Sequence, residues 1–213
     1  MLTIEKARTW YKDADPVHNF DHVLRVYRIA GRLAKTEGAD LEIIKAAALL
    51  HDSRGSSPGI HGTQRQEHHI ASAEFAGVVL REEDWNNDRI QAVQHCIRAH
   101  RFRSNGEKPL SLEARIIFDA DKLDVLGAIG AARTIAYAAL DGQPSYAEPS
   151  ETFLNTGKTE PGEAHSSYHE YLFKLRKVKG MLFTESGKKI AEARHAFLVN
   201  FYEELQAECR GER

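Results

Sequence analysis

Apolar positions recur every three or four residues along nearly the whole chain, and nowhere do they alternate over a length useful for a strand. Thr3 is placed to cap a short first helix reaching about Lys12. Val23, Val26, Ile29, Ala30 and Leu33 form one stripe, which predicts a helix from near His18 to a stop at Gly38. Asp40 caps the next, with Leu41, Ile44, Ala48 and Leu49 as its apolar set and His51-Asp52 at its end. Residues 53–66 are loop by composition, helices follow over about Glu67–Arg81 and Asn87–His100, and 103–110 form a turn region. A helix starting at Ser111 and Glu113 runs to about Leu126, and Gly127 and Gly130 bend it or begin another that reaches Leu140.

Residues 141–162 contain three of the six prolines together with Asp-Gly and Thr-Gly, which predicts a long mobile loop. Helical periodicity then returns from Glu163 to about Lys179 and from Thr184 to about Glu208, where Ile190, Ala193, Phe197, Phe201 and Leu205 repeat. The expected class is therefore all-α. The expected organisation is a core over 1–140, a loop over 141–162 and a C-terminal helical pair over 163–213. The pair should pack back on the core, because its apolar faces are too broad to be left wet.

Composition narrows the function classes. A length of 213 residues suits one large domain, and 29 basic against 31 acidic residues leave no net positive charge to bind nucleic acid. Cys96 and Cys209 form no closely spaced pair, which fits a reducing compartment rather than a disulfide framework. No apolar run is long enough to span a membrane and the first residues carry charge too early for a secretory signal, so a soluble cytoplasmic protein without a membrane partner is expected. The unusual feature is the 11 histidines, several of them crowded into the first half.

Three places break the apolar pattern. Asp121 has Phe118, Ile117 and Ala114 behind it and Asp124, Val125 and Ala128 ahead on its own helical face, with no cation among them. A carboxylate aimed at a core needs a hydrogen-bond donor, a cation or a metal. Asp119, by contrast, has Arg115 and Lys122 within reach on its helix. His51 and Asp52 are delivered by an apolar helix to its C-terminal end, where backbone carbonyls make the potential negative. One imidazole and one carboxylate suit Mn, Fe, Co, Ni or Zn better than Ca. His18, His22 and Arg25 share one face of the second helix and can form the wall of a polar pocket.

The ordered set of His22, His51-Asp52 and Asp121 resembles the HD superfamily of metal-dependent phosphohydrolases. The segments HNFDHVLRVYRIA, AALLHDS, HHIASAEFA, CIRAHRF and ARIIFDADKLDVLGAIGAARTIA are similar to successive blocks of a branch of small bacterial HD proteins, and TESGKKIAEARHAFLVNFYEEL to its last helix. The resemblance implies a helical HD bundle with additional C-terminal helices. It implies one divalent metal on His22, His51, Asp52 and Asp121, with Asp124 as the competing ligand. Manganese is the first expectation, with Mg, Fe, Co, Ni or Zn as alternatives.

His68 and His100 match positions that hold a second metal or phosphate in some branches, whereas His69 and His95 are structural or exposed. Lys122 and Arg25 are the expected cations for a phosphorylated small-molecule substrate. Asp52 and His68 are the expected catalytic groups. Several HD nucleotidases carry a Glu three or four residues after the doublet; Gly55 and Ser56 stand there, which points away from a nucleoside monophosphatase. The implied activity is phosphohydrolysis of a nucleotide-like substrate, in one form the release of pyrophosphate from a nucleoside triphosphate. The alternative is a non-catalytic nucleotide-sensing or scaffold module with a structural metal.

Overall fold

The computed structural model describes residues 2–11, 19–54, 63–102 and 106–213, and for 63–67 the backbone alone. Among these residues the fold is all-α, with ten α-helices, two short 3-10 helices and no strand. The chain divides into two compact units, one of residues 1–121 and 183–187 and the other of 122–182 and 188–213.

The first unit contains α1 (Ile4–Arg8), α2 (Phe20–Glu37), α3 (Leu41–Leu50), α4 (Thr63–Glu82), α5 (Asn87–Ala99) and α6 (Leu112–Leu123) as far as Asp121. The caps are those that the side chains dictate. Thr3, Asn19, Asp40 and Asn86 each accept from a backbone N–H of the first turn that follows. Gly38 ends α2 in the left-handed region at φ 78°, where a side chain is disfavoured. His18 and the loop residues 55–62 lie outside the described residues, and the loop expected over 53–66 gives way to α4 already at Thr63.

Helix α3 is the centre of this unit. Seven of its ten residues are buried, from Ile43 and Ile44 through Ala46 to Leu50, and it packs on α1, α2, α4 and α5. Residues 46–50 at its end are all buried, so the last carbonyls have no water and side chains must supply donors. Ala48 O faces His51 Nδ1 at 2.8 Å, Leu49 O accepts from the Tyr11 hydroxyl at 2.9 Å and Leu50 O accepts from Ser53 Oγ at 2.9 Å. Tyr11 is itself fixed in a cluster with Ala7, Phe20, Val23 and Leu49.

Asp119 departs from the solvated ion pair that its helical neighbours suggest. It is fully buried and accepts from Phe183 N at 2.9 Å, Thr184 N at 2.8 Å and Thr184 Oγ1 at 2.6 Å. Arg115 Nε donates instead to Pro109 O at 3.3 Å. The approach of Asp119 requires a glycine at 187, since a Cβ there would lie 2.6 Å from Asp119 Oδ2. Residues 183–187 are thereby anchored to α6.

The second unit contains α7 (Gly127–Leu140), α8 (Glu151–Thr156), α9 (Ser167–Phe173), a 3-10 helix over Leu175–Met181 and α10 (Glu185–Cys209) from Lys188 onward. Gly127 breaks the chain between α6 and α7 at φ 71°. The expected helix over 163–179 is two pieces, separated at Lys174. The expected loop over 141–162 contains α8, capped by Ser150 and ended by Gly157 at φ 72°.

Glu163 organises this stretch. Its carboxylate accepts from Ser150 N at 2.8 Å, Ser150 Oγ at 2.8 Å and Glu160 N at 2.6 Å, and lies 3.1 Å from His169 Nε2. His169 Nδ1 in turn meets Ser166 Oγ at 2.7 Å. The order serine, histidine, glutamate resembles a nucleophile relay, but Ser166 is fully buried and its hydroxyl caps α9, so the arrangement is structural. No single helix among the described residues is long and apolar enough to cross a membrane.

The backbone N–H of Ser150, with the other donors, lowers the Glu163 carboxyl from its ordinary 4.5 to about 2. A depressed carboxylate contributes stability above its ordinary value and loses it as the pH falls towards the folded value. Thermal melts should therefore show the wild type losing stability between about pH 4.5 and 2 more steeply than Glu163→Gln, which starts lower at pH 7. Parallel curves for the two proteins would refute the anchoring role.

Candidate metal centre

Five side chains from separate helices meet around Asp52. His22 comes from the first turn of α2, His51 from the C-cap of α3, His68 from α4, His100 from the C-cap of α5 and Asp121 from α6. His22, His51 and His100 are almost wholly buried, and Asp52 and Asp121 are partly exposed. His22 Nε2 lies 3.3 Å from His51 Nε2, 3.4 Å from Asp121 Oδ1 and 3.7 Å from Asp52 Oδ2, and His51 Nε2 lies 3.6 Å from Asp52 Oδ2. The other oxygen of Asp52 faces His68 Nε2 at 3.0 Å and His100 Nε2 at 3.5 Å.

Within the first group His22 Nε2, His51 Nε2 and an Asp52 oxygen lie close enough together to hold a divalent ion, and Asp121 adjoins them at His22. Ligand atoms held about 2.1 Å from a tetrahedral ion lie roughly 3.4 Å from one another, and the observed separations of 3.3 to 3.7 Å bracket that value. The proton positions agree. With its Nδ1–H donated to Ala48 O, His51 presents a lone pair at Nε2, and that lone pair faces an Asp52 oxygen and His22 Nε2. Acceptors facing acceptors need a proton or a metal cation among them. Burial, with His100 and His22 nearby, lowers the His51 imidazole to about 4, so it is neutral near pH 7 and free to act as a ligand. Burial works to raise the Asp52 carboxyl, but the His51, His100 and His68 rings outweigh it and hold it well below the usual range.

The second group, Asp52, His68 and His100, is also compact enough to hold an ion. His100 repeats the arrangement of His51, its Nδ1 lying 2.5 Å from Ile97 O. His68 differs. Arg101 Nη1 lies 2.9 Å from His68 Nδ1, and a guanidinium only donates, so a neutral His68 carries its proton on Nε2, the nitrogen 3.0 Å from Asp52 Oδ1. As arranged, His68 is a proton-bearing group rather than a ligand.

The remaining residues singled out in the sequence are distributed as follows. Arg25 is half-buried and one turn beyond His22 on α2, and Lys122 follows Asp121 in α6 and is also half-buried. The competing Asp124 is fully buried and bonded to Arg133 Nη1 at 2.5 Å. His95 pairs with Glu107 at 2.5 Å on the surface, and the His69 ring packs beside those of His68 and His100. Two contributors were not visible in the sequence pattern. Tyr11 supports the end of α3 from a distant helix, and Arg101 sets the tautomer of His68. The only sequence signal for Arg101 is its position next to His100.

A helical core with a mixed histidine and aspartate centre of this kind defines a class. Residues 19–126 match the HD domain family, and the chain belongs to it. It is 31% identical over 214 residues to the Bacillus subtilis protein YpgQ, covering 97% of this chain and 94% of that one. The crystal structure of YpgQ in complex with ADP superposes with a TM-score of 0.72 at 25% identity, over 97% of both chains. A Lactobacillus plantarum structure gives a TM-score of 0.72 at 28% identity, over 99% of this chain and 100% of that one. An HD-superfamily hydrolase from Bacillus thuringiensis gives 0.69 at 28% identity, over 97% and 96%.

Asp119 and Asp121 are two residues apart and make opposite predictions. Asp121→Ala should weaken metal retention about tenfold or more, measured by elemental analysis of untagged protein. Asp119→Ala should retain the metal but lose about 3 kcal/mol of stability, because the buried donors of residues 183 and 184 lose their acceptor. Equal metal retention in the two variants would remove Asp121 from the centre.

Proposed function

We propose that this protein is a divalent-metal-dependent phosphohydrolase acting on a nucleotide-like substrate, in its specific form a nucleoside triphosphate pyrophosphohydrolase. The observation that carries the reading is the convergence of His22, His51, Asp52 and Asp121 beside a second face of Asp52 that holds His68 and His100. His22, His51, Asp52 and Asp121 would hold the metal, with manganese the first candidate for this mixed ligand set. Such an ion supplies Lewis acidity at the phosphoryl group and lowers the pKa of water.

The chain's own groups do the rest. Asp52 Oδ1 and His68 Nε2, 3.0 Å apart, would orient water and pass a proton, with Arg101 behind His68 at Nδ1. Arg25, His68, His100 and Lys122 would bind the phosphates and offset charge that develops there. Water would add across the α–β anhydride, leaving a nucleoside monophosphate and pyrophosphate. That YpgQ was crystallised with ADP supports a nucleotide as the ligand class. Two thiols without a disulfide, Cys96 and Cys209, accord with a cytoplasmic setting.

The test is turnover by metal-loaded protein, with Mn, Mg, Co, Ni, Fe and Zn compared across nucleoside triphosphates, monophosphates and cyclic nucleotides. The expected result is manganese-supported release of pyrophosphate from triphosphates, reduced about 100-fold in kcat by His68→Ala. Tight nucleotide binding with no hydrolysis of any of them at full metal occupancy would overturn the reading.

A further inference from the structure

The run Phe-Lys-Leu-Arg-Lys-Val-Lys-Gly, residues 173–180, takes no part in the histidine centre. Its apolar members Leu175 and Val178 are buried and fix the 3-10 helix, so Arg176, Lys177 and Lys179 are turned outward. They line a pocket of about 540 Å³ whose opposite wall is one face of α10, at Lys188, Glu192 and His195. Positions 188, 192 and 195 are spaced four and three apart, so they share that face. All of these residues belong to the second unit.

Four cationic side chains therefore face a single carboxylate, in a chain whose formal net charge is −2. Like charges gathered in a concave site repel one another and focus a positive potential into it. Neither Arg176 nor Lys179 forms an ion pair among the described residues. His195 contributes a second, independent sign: its Nδ1 is shielded from solvent and has no hydrogen-bond partner within the protein. His195 lines the pocket, and a ligand that reaches its unpartnered nitrogen would satisfy it. Burial and the Lys179 charge both lower the proton affinity of this imidazole, consistent with a positive field there. The volume is in the small-molecule range, in an open cleft rather than an enclosed cavity.

We propose that this pocket is a second anion site, which binds the phosphate chain of a small phosphorylated ligand through Arg176, Lys177, Lys179, Lys188 and His195. Glu192 sets a limit on the ligand. It repels an anion that fills the pocket completely and favours one that presents its charge to the Arg176 and Lys179 side. The proposal shares no residue with the histidine centre and does not depend on the activity assigned to that centre.

Inorganic tripolyphosphate is the probe, titrated into the full-length chain in magnesium buffer. Binding is read from the ring resonances of His195 and of the histidines at 22, 51, 68 and 100. The expected result is a saturable shift at His195, weakened tenfold or more in Lys179→Ala/Lys188→Ala and retained in His22→Ala. Both lysines are exposed, so the double variant should fold, and unchanged far-ultraviolet circular dichroism checks this. Shifts confined to the centre's histidines and lost in His22→Ala would overturn the proposal. So would a His195 shift unchanged in the double variant, or no saturable shift at His195.

Discussion

The last three carbonyls of α3 cannot reach water, and the first unit is arranged to answer them. Tyr11, His51 and Ser53 each serve one of the three. The consequence for the centre is direct. An imidazole tied through Nδ1 to the carbonyl three residues back can only present Nε2 forward, so the capping bond fixes both tautomer and direction. Asp52 follows without freedom of its own, because the residues on either side of it are bonded to the same helix end. Burial of an apolar helix thus does the work of aiming two polar side chains.

The same solution appears a second time at the end of α5. His100 turns its Nδ1 to Ile97 O, and its Nε2 faces the oxygen of Asp52 that His51 does not approach. Two helices therefore converge with their C-terminal ends towards one carboxylate. Their dipoles place negative potential at that point, which a cation relieves. The histidine from α4 is held differently, by a guanidinium instead of a carbonyl, and so it is the proton on its inner nitrogen that faces Asp52. One carboxylate consequently has two chemically distinct faces, set by what lies behind each ring.

What was legible in the sequence follows this division between local and distant causes. The caps Thr3, Asp40 and Gly38 act within one turn of themselves, and the elements they bound were readable. His22, His51, Asp52 and Asp121 were legible as polar residues in apolar stripes and through their resemblance to a family. Helix α8 was not, because it is six residues long and the prolines and glycines around it dominate the pattern. Its stability comes from Glu163, whose partners at 150, 160 and 169 are drawn together by the fold rather than by any period. Asp119 misled for the same reason. Two helical cations were within reach, yet its partners lie more than 60 residues downstream.

That last separation bears on how the protein is made. The first unit is not continuous in sequence; its closing segment, 183–187, comes after most of the second unit. On a ribosome, α6 emerges with Asp119 exposed, and 65 further residues must be synthesised before Thr184 can satisfy it. The carboxylate two residues from Asp121 stays hydrated until then, so the segment carrying this member of the centre is locked late. A chain released early would contain all six residues of the histidine and aspartate cluster and still lack the clamp that holds one of its walls.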